Sequence, residues 1–425
     1  MTSFSIWNFG CRVNQAESFD WTVEFQRLGW RFEEEASRGD VVILNTCTLT
    51  SRADRDARKT IRKISRENPG ARILVTGCLA ERDPRGLEAI PGVWRVVPNT
   101  AKAGLLDLIS SMIGPEKGPA PGGLPPASYR SRALVKIQDG CDMACRFCVI
   151  PSVRGRSASR PVAEVLDRVE RWVSEGFREI VLAGIHLCSY GRDLSPRSSL
   201  LELLRRIDLL AGDFRVRLTS LDPRLLPAPL IEHLSASPRI APHFHLSLQS
   251  GSDRILAAMG RGSTAAGYRA LAADFAARAP EANFGADVIV GFPGETEDDF
   301  RATVSLIEDI PLRYVHVFSY SPRPGTNAAE DRPVDSARVK ERAARLRRLS
   351  RLKNLEYRRR FLGRVLDGVI IRRKRGGLEV LTPNYLAVAV PGAGVSEGSA
   401  VRVRIVRVGE RNTEGEICDN TGLRP

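Results

Sequence analysis

Residues 141–148 read Cys141-Asp-Met-Ala-Cys145-Arg-Phe-Cys148 and lie just past the apolar run Ala133–Ile137, which is typical of a β-strand. Three thiolates on one short loop can ligate three irons of a [4Fe–4S] cluster and leave the fourth iron open. Structural zinc requires four closed ligands, so zinc or an unmetallated set of thiols is the alternative. The spacing therefore predicts an iron–sulfur cluster at the end of a strand.

Further strand candidates follow this motif at intervals long enough for one or more helices. They are Glu179–Ala183, Arg215–Thr219, His243–Leu248, Gly285–Val290 and Tyr314–Phe318. Six consecutive β/α units predict a full or partial parallel barrel, whose reactive face lies at the carboxyl ends of the strands. We therefore expect the cysteine loop at the mouth of this barrel.

The first hundred residues show the same alternation of apolar β-rich runs and amphipathic helical runs, which predicts a small parallel α/β sheet. Cys11, Cys47 and Cys78 follow the first three predicted strands at nearly the same offset. Residues at the carboxyl ends of parallel strands meet at one edge of the sheet. Taken singly, each cysteine could be a small buried hydrophobe. Together they predict a second three-cysteine cluster.

The predicted organisation is α/β with four segments. Gly114–Ser128 is rich in Pro and Gly and lacks periodicity, which indicates a linker. The last part of the chain has short apolar runs punctuated by glycines, which predicts a small antiparallel β-barrel. The expected segments are an N-terminal cluster domain (1–114), a linker (115–131), a partial (β/α)6 barrel domain (132–360) and the small β-barrel (361–425).

The charge balance points to a polyanionic partner. The 425 residues contain 64 Lys and Arg against 50 Asp and Glu, a net charge of +14. From Ser336 to Arg375 there are sixteen basic residues against three acids. Nucleic acid is the leading candidate, and a merely solvated basic helix is the alternative. No run of about 18 apolar residues and no signal-peptide pattern occurs, so we expect no membrane span and a cytoplasmic location.

The other metal-ligating side chains predict no rival site. Eight cysteines are too few for a disulfide scaffold, and Cys188 and Cys418 lack partners in the pattern, so we expect packed thiols. His243 and His245 alternate along one predicted strand, whereas His186, His233 and His316 lie on other elements. We expect these histidines to line the core or a pocket.

Seven motifs are distributed over the whole chain: Gly10-Cys-Arg-Val-Asn-Gln15, Asn45-Thr-Cys47, Thr76-Gly-Cys78, Lys136-Ile-Gln-Asp-Gly-Cys141, Ser247-Leu-Gln-Ser-Gly-Ser252, Gly291-Phe-Pro-Gly-Glu-Thr296 and Ser319-Tyr-Ser-Pro-Arg-Pro-Gly325. With these motifs the whole chain resembles the methylthiotransferase family of radical S-adenosylmethionine (SAM) enzymes, which have an N-terminal three-cysteine cluster domain, a radical SAM domain and a C-terminal TRAM domain. The first motif is most similar to the branch that acts on N6-threonylcarbamoyladenosine beside the tRNA anticodon.

The resemblance implies a catalytic and metal-ligating role for all six cysteines and two SAM molecules per turnover. The [4Fe–4S] cluster on Cys141, Cys145 and Cys148 would cleave SAM to a radical that activates carbon 2 of the adenine. A second [4Fe–4S] cluster, on Cys11, Cys47 and Cys78, would carry the sulfur that is methylated and transferred. The cofactor-binding residues expected to contact SAM are Phe147, Gln249 and Asp287. An electron donor and a sulfur source are further partners.

Substrate contacts are expected from two groups of basic residues. Arg154, Arg156 and Arg323 are candidates for the carboxylate of the threonylcarbamoyl group. The helix Arg338–Arg360, together with Arg372, Arg373, Lys374 and Arg375, would grip tRNA phosphates without reading bases. Three alternatives remain open at this point: a methylthiotransferase for isopentenyladenosine tRNA, one for a ribosomal protein aspartate, and a non-enzymatic RNA-binding iron–sulfur sensor.

Overall fold

A computed structural model of the chain describes residues 2–35, 38–113, 131–374, 376–392 and 394–419. The contacts divide it into two compact units. The first contains the described residues before the Pro/Gly-rich stretch, together with Asp139–Ala158 and Ser321–Ala329. The second contains the remaining residues. The loop that carries the CxxxCxxC motif thus belongs to the same unit as the N-terminal sheet.

The N-terminal sheet is parallel, with strand order β2-β1-β3-β4-β5. Its strands are β1 Ser3–Asn8, β2 Arg31–Phe32, β3 Val41–Thr46, β4 Arg72–Gly77 and β5 Val93–Val97. Its helices are α1 Arg12–Arg27, α2 Ser51–Glu67, α3 Cys78–Arg82, α4 Pro84–Glu88 and α5 Leu105–Ile113. The predicted small parallel α/β sheet is confirmed.

Strand β3 shows why this sheet is parallel and covered on both faces. All six of its residues are buried. Val42 and Leu44 pack into one apolar cluster, while Val41 and Ile43 pack into another on the opposite face. A strand buried on both faces needs helices on both sides, which the β–α connections of a parallel sheet provide. The carboxyl ends of β1, β3 and β4 are thereby held side by side.

The second unit contains a six-stranded partial barrel. Its strands are β6 Ala133–Asp139, β8 Glu179–Gly184, β9 Arg215–Leu218, β10 His243–His245, β11 Asn283–Val290 and β12 Tyr314–Ser319, and the two-residue strand β7 Ala158–Ser159 pairs with the edge of β6. Strands β6, β8 and β9 form one parallel ladder and β10, β11 and β12 another. Parallel bridges Val216↔Ile240 and Leu221↔Leu246 join the two ladders. The predicted partial (β/α)6 barrel is confirmed.

Several of the helices that follow these strands begin at a capping side chain. For example, Thr296 and Asp299 form a capping box at the start of α12. The helices are α6 Ile150–Arg154, α7 Val162–Ser174, α8 Leu200–Asp208, α9 Ala228–Ala236, α10 Asp253–Ala258, α11 Ala265–Arg278, α12 Glu297–Asp309 and α13 Ser336–Arg359. The basic segment that begins at Ser336 therefore starts with one long helix, α13.

A closed five-stranded barrel follows, with strand order β13-β14-β15-β17-β16. The strands are β13 Val365–Lys374, β14 Gly377–Leu381, β15 Ala387–Pro391, β16 Ala400–Val408 and β17 Thr413–Asp419. Sequence analysis predicts the first four but not β17, whose charged residues and Gly415 do not give an apolar pattern. This strand closes the barrel by pairing with β16 and β15.

Tyr385 of the small barrel packs against the amino-terminal end of the large one. It lies between β14 and β15 with a positive φ of 67°. Its ring stacks on His243, with centroids 4.2 Å apart, and lies 4.9 Å from the guanidinium of Arg217. Arg217 in turn forms a buried two-point ion pair with Glu179, at 2.8 and 2.7 Å. Tyr385, His243, Arg217 and Glu179 thus form a charged and aromatic contact between the two barrels of the second unit, the interbarrel contact.

Candidate functional site

The three N-terminal cysteines lie at equivalent strand ends, as expected from the sequence. Cys11 is the N-cap residue of α1 after β1, Cys47 directly follows β3, and Cys78 begins α3 after β4. Because β1, β3 and β4 are neighbours in the sheet, the three thiols are close enough to affect one another electrostatically. The structure therefore brings Cys11, Cys47 and Cys78 together at one sheet edge.

Small and polar neighbours hold this edge in place. Gly10 has a φ of +86°, and a Cβ at this position would lie 2.6 Å from the Sγ of Cys47. Only glycine fits there. Asn14 is fully buried, and its side-chain amide donates to the carbonyls of Phe9 and Thr46 at 2.8 and 2.9 Å. Asn14 thereby ties together the backbone just before Cys11 and Cys47.

The chemistry of these thiols fits an iron–sulfur cluster. Burial raises the pKa of Cys11, and it raises the pKa of Cys47 to about 12. Both groups are therefore protonated thiols at neutral pH until a metal displaces the protons. Three soft sulfur ligands without a fourth cysteine suit a cubane with one open iron better than closed structural zinc.

The second cysteine set occupies the loop that follows β6. Cys141, Cys145 and Cys148 are all half-buried. The backbone N–H of Met143 points to the Sγ of Cys141 at 3.4 Å, and the N–H of Cys148 donates to the carbonyl of Cys145 at 3.0 Å. A backbone N–H aimed at sulfur stabilises a thiolate, so this loop is also suited to ligate metal.

The structure gives the three arginines proposed as substrate contacts different surroundings. Arg156 is exposed and lies 3.4 Å from Asp142. Arg323 is buried, where it forms an ion pair with Asp54 and donates to Ser51 and Thr48. Arg154 is also buried, and its Nε donates to the Sγ of Cys78 at 3.3 Å. Of these three side chains, only that of Arg156 faces solvent, and the substrate roles of all three stay predictions.

Of the residues expected to contact SAM, Gln249 and Asp287 are neighbours in the second unit. The N–H of Gln249, which has a φ of 71°, donates to the carbonyl of Asp287 at 2.8 Å. Phe147 is half-buried in the cysteine loop of the first unit. The SAM contacts of all three residues stay predictions.

Asp287 also joins two histidines that the sequence places on separate elements. His245 Nε2 and His316 Nδ1 lie 3.3 and 3.4 Å from Asp287 Oδ1, because β10 and β12 flank β11. The two imidazole rings stack, with 29° between their planes. Burial raises the pKa of Asp287, but hydrogen bonds with both histidines outweigh it and hold the pKa below its usual value. One ligand atom from each of the three side chains lies within 4.8 Å of the others, so the group is compatible with a metal ion that the sequence does not predict.

The basic residues of the C-terminal region are divided between surface and interior. Arg342 and Arg358 of α13 are buried, and Arg342 forms an ion pair with Glu295 at 2.6 Å. The exposed basic residues of this helix and its end are Arg338, Lys340, Arg345, Arg347, Arg348, Arg351, Arg359 and Arg360. On β13, Arg372 and Lys374 share one acidic partner, Glu379. Arg373 is exposed, and Arg375 lies outside the described residues.

Comparisons with known proteins agree with this arrangement. Residues 3–97 match the uncharacterized protein family UPF0004, and residues 135–307 match the radical SAM superfamily. A threonylcarbamoyladenosine tRNA methylthiotransferase, MtaB, from Aquifex aeolicus is 35% identical over 93% of this chain and 98% of its own length. The chain belongs to the methylthiotransferase family.

Other similar proteins place this methylthiotransferase within its family and fold. The MtaB protein of Bacillus subtilis is 34% identical over 98% of this chain and 96% of its own length. A tRNA-2-methylthio-N(6)-dimethylallyladenosine synthase of Chloroflexus aurantiacus is 33% identical over 97% of this chain and 91% of its own. The radical SAM methyltransferase TsrM of Kitasatospora setae shares the fold, with a TM-score of 0.57 at 14% identity over 77% of this chain and 75% of its own.

Membership of the radical SAM superfamily implies SAM and a [4Fe–4S] cluster as cofactors of this methylthiotransferase. Within the part of the chain that the structure describes, every helix is too short or too polar to cross a membrane.

The sequence motifs include Asn14 and Asn45, but the sequence does not indicate that polar side chains surround the N-terminal cysteines. Asn14, Glu17, Asn45 and Lys102 are all buried there. Asn14 and Glu17 lie three and six residues after Cys11 on α1, a spacing that places them on the same helix face. Polar residues at buried helical positions are the signal that could have identified this site.

Proposed function

We propose that this methylthiotransferase replaces the hydrogen on carbon 2 of N6-threonylcarbamoyladenosine, in tRNA beside the anticodon, with a methylthio group. The observation that carries the proposal is the presence of both three-cysteine sets in one compact unit. The Aquifex and Bacillus relatives, whose names specify this nucleoside, support the choice of substrate.

The proposed cofactors are two [4Fe–4S] clusters, one on Cys141, Cys145 and Cys148 and the other on Cys11, Cys47 and Cys78. With two SAM molecules they supply a radical that takes the hydrogen atom, and the methyl group of the product. A reducing partner supplies the electron for SAM cleavage, and a separate sulfur source supplies the transferred atom. The chain's own residues hold the thiols at one sheet edge, as Gly10 and Asn14 do.

The proposed segments remain 1–114 for the N-terminal cluster domain, 115–131 for the linker, 132–360 for the radical SAM domain and 361–425 for the TRAM-like barrel. The exposed basic residues of α13 and β13 are proposed to bind tRNA phosphates, which positions the substrate but does not select the base. Among the arginines considered for the threonylcarbamoyl carboxylate, Arg156 is proposed as the contact because its side chain is 94% exposed.

Iron content and product formation test the two-cluster proposal. Anaerobically reconstituted protein is expected to hold about eight irons per chain. Changing Cys11, Cys47 and Cys78 to Ala should reduce this to about four, preserve 5′-deoxyadenosine formation and abolish thiolation. Changing Cys188, a buried cysteine outside both sets, to Ala is the matched control and should leave the iron content unchanged. Thiolation by the triple variant would refute the sulfur-carrying role.

A substrate comparison tests the nucleoside. The enzyme should thiolate tRNA that carries threonylcarbamoyladenosine and discriminate strongly against the isopentenyl analogue, since polar partners built for the carboxylate would be left unpaired. The 33% identity with the Chloroflexus dimethylallyladenosine synthase makes that nucleoside the second candidate. Comparable turnover of both substrates would refute the assignment. Mass spectrometry of tRNA nucleosides and of the ribosomal protein from a deletion strain would expose a protein substrate.

A further inference from the structure

Arg154 links the CxxxCxxC loop to the N-terminal cysteine site. It is the last residue of α6, six positions after the last cysteine of the loop, and its side chain is only 1% exposed. Its Nη1 contacts Asp139 Oδ1 at 2.8 Å and Glu17 Oε1 at 3.3 Å, and its Nη2 donates to Asn14. The planar guanidinium is therefore fixed on several sides, while its Nε–H points to the Sγ of Cys78 at 3.3 Å.

The charges around Arg154 balance one another without a contribution from the sulfur. Glu17 also binds Lys102, whose Nζ lies 2.5 Å from its other carboxylate oxygen. Two cations, Arg154 and Lys102, therefore face two carboxylates, Glu17 and Asp139. The Nε–H of Arg154 is directed at the sulfur of Cys78 rather than at a carboxylate, so this sulfur is the acceptor for a buried donor.

Packing fixes the same contact independently of charge. Val149 and Val153 of the segment that leads to Arg154 form a buried apolar cluster with Cys78. The side-chain amide of Asn99 donates to the carbonyl of Val153 at 2.6 Å and also reaches the Sγ of Cys78 at 3.7 Å. The residues after the CxxxCxxC motif thus form part of the immediate surroundings of Cys78.

We propose that Arg154 is a positioning residue for the cluster held by Cys11, Cys47 and Cys78, and that its Nε–H raises the reduction potential of that cluster. This inference rests on the proposed two-cluster function. Hydrogen bonds to ligand sulfurs and nearby positive charge stabilise the more negative, reduced state of a cluster. Arg154 belongs to the segment that follows the CxxxCxxC motif. A residue beside the ligands of one cluster thus tunes the reduction potential of the other cluster.

The test uses full-length protein in which Cys141, Cys145 and Cys148 are changed to Ala, so that a single cluster is observed. Its reduction is followed by electron paramagnetic resonance during a redox titration. Losing one charge-assisted hydrogen bond should raise the oxidised-to-reduced ratio at a fixed potential about tenfold, equivalent to a midpoint about 59 mV more negative. This shift is expected for Arg154→Gln. A smaller shift is expected for Arg154→Lys, which keeps the positive charge but lacks the planar guanidinium and its Nε–H. The matched control, Arg156→Gln, alters an exposed arginine two residues away and should leave the midpoint unchanged.

The outcomes separate this inference from the proposed function. A parent protein that binds no iron would overturn the second cluster itself. A parent that binds iron, with the same midpoint as Arg154→Gln, would overturn only the role of Arg154. If the Arg154 variants do not fold, the parent protein labelled with ¹⁵N-arginine provides a second test. Electron spin-echo spectroscopy of its reduced cluster should then detect an arginine nitrogen coupled to the cluster, and the lack of that coupling would overturn the inference.

Discussion

Replacing Arg323 by Met should destabilise the protein rather than act selectively on the substrate. The guanidinium is 3% exposed and contacts Asp54, Ser51 Oγ at 3.0 Å and Thr48 Oγ1 at 3.1 Å. Removing one partner of a buried ion pair costs about 3–5 kcal/mol. Asp54 keeps Arg82 at 3.1 Å and the hydroxyl of Thr48 at 2.6 Å. We therefore expect a loss of about 2–3 kcal/mol in the free energy of unfolding.

The assay is urea unfolding of the anaerobically purified protein, followed by circular dichroism. Arg52→Met is the matched control, because Arg52 lies beside Ser51 on α2 with its side chain 83% exposed and should change stability by less than about 0.5 kcal/mol. The reasoning fails if Arg323→Met unfolds at the same urea concentration as the parent and selectively loses turnover of threonylcarbamoyladenosine tRNA. Arg323 would then be a substrate contact.

Two further predictions concern charge and pH. Changing Arg372, Arg373 and Lys374 to Gln should weaken the binding of modified and unmodified tRNA alike and reduce the slope of log K against log salt by about 1 to 3. The lower values are expected because Glu379 already pairs with two of these residues. An unchanged slope would indicate that these residues form a solvated face without a ligand. Burial raises the pKa of Cys188 to about 12, whereas an unfolded thiol titrates near about 8.5. The unfolded chain therefore loses this proton first, and stability that is present below about pH 8.5 is lost as the pH rises toward 12, by up to about 1.4 kcal/mol per pH unit. Unfolding free energies between pH 8 and 10.5 should fall more steeply for the parent than for Cys188→Ala, and parallel curves would contradict the assigned pKa.

The sequence predicts the positions of the cysteines well because they depend on local rules. Cys11, Cys47 and Cys78 each follow an apolar strand, and parallel strands end at one edge, so their convergence requires no knowledge of distant contacts. The same reasoning identifies the strands of the large barrel. By contrast, β17 closes the small barrel through its ladders with β15 and β16, and its own residues carry no apolar alternation.

The environments of the arginines could not be predicted because they depend on partners that are distant in sequence. Arg154 is buried by Glu17 and Cys78, and Arg323 by Asp54, which lies 269 residues away in the chain. Sequence position after a strand indicates the end of a barrel at which a side chain lies, but not whether that side chain faces solvent. His316 illustrates the same limit, since only the strand order places it beside Asp287 and His245.

The interbarrel contact has a consequence for the evolution of this enzyme. Tyr385 belongs to the small barrel, yet its ring covers His243 and Arg217 of the large one, and Asn283 of β11 donates to the carbonyl of Asn384 at 3.0 Å. A chain that ended before the small barrel would open the buried Arg217–Glu179 pair to water. The small barrel, which is proposed to bind tRNA, therefore cannot be added or removed by gene fusion or deletion without exposing this ion pair. Selection on substrate affinity and selection on the integrity of the catalytic scaffold therefore act on the same small barrel, although on different residues of it.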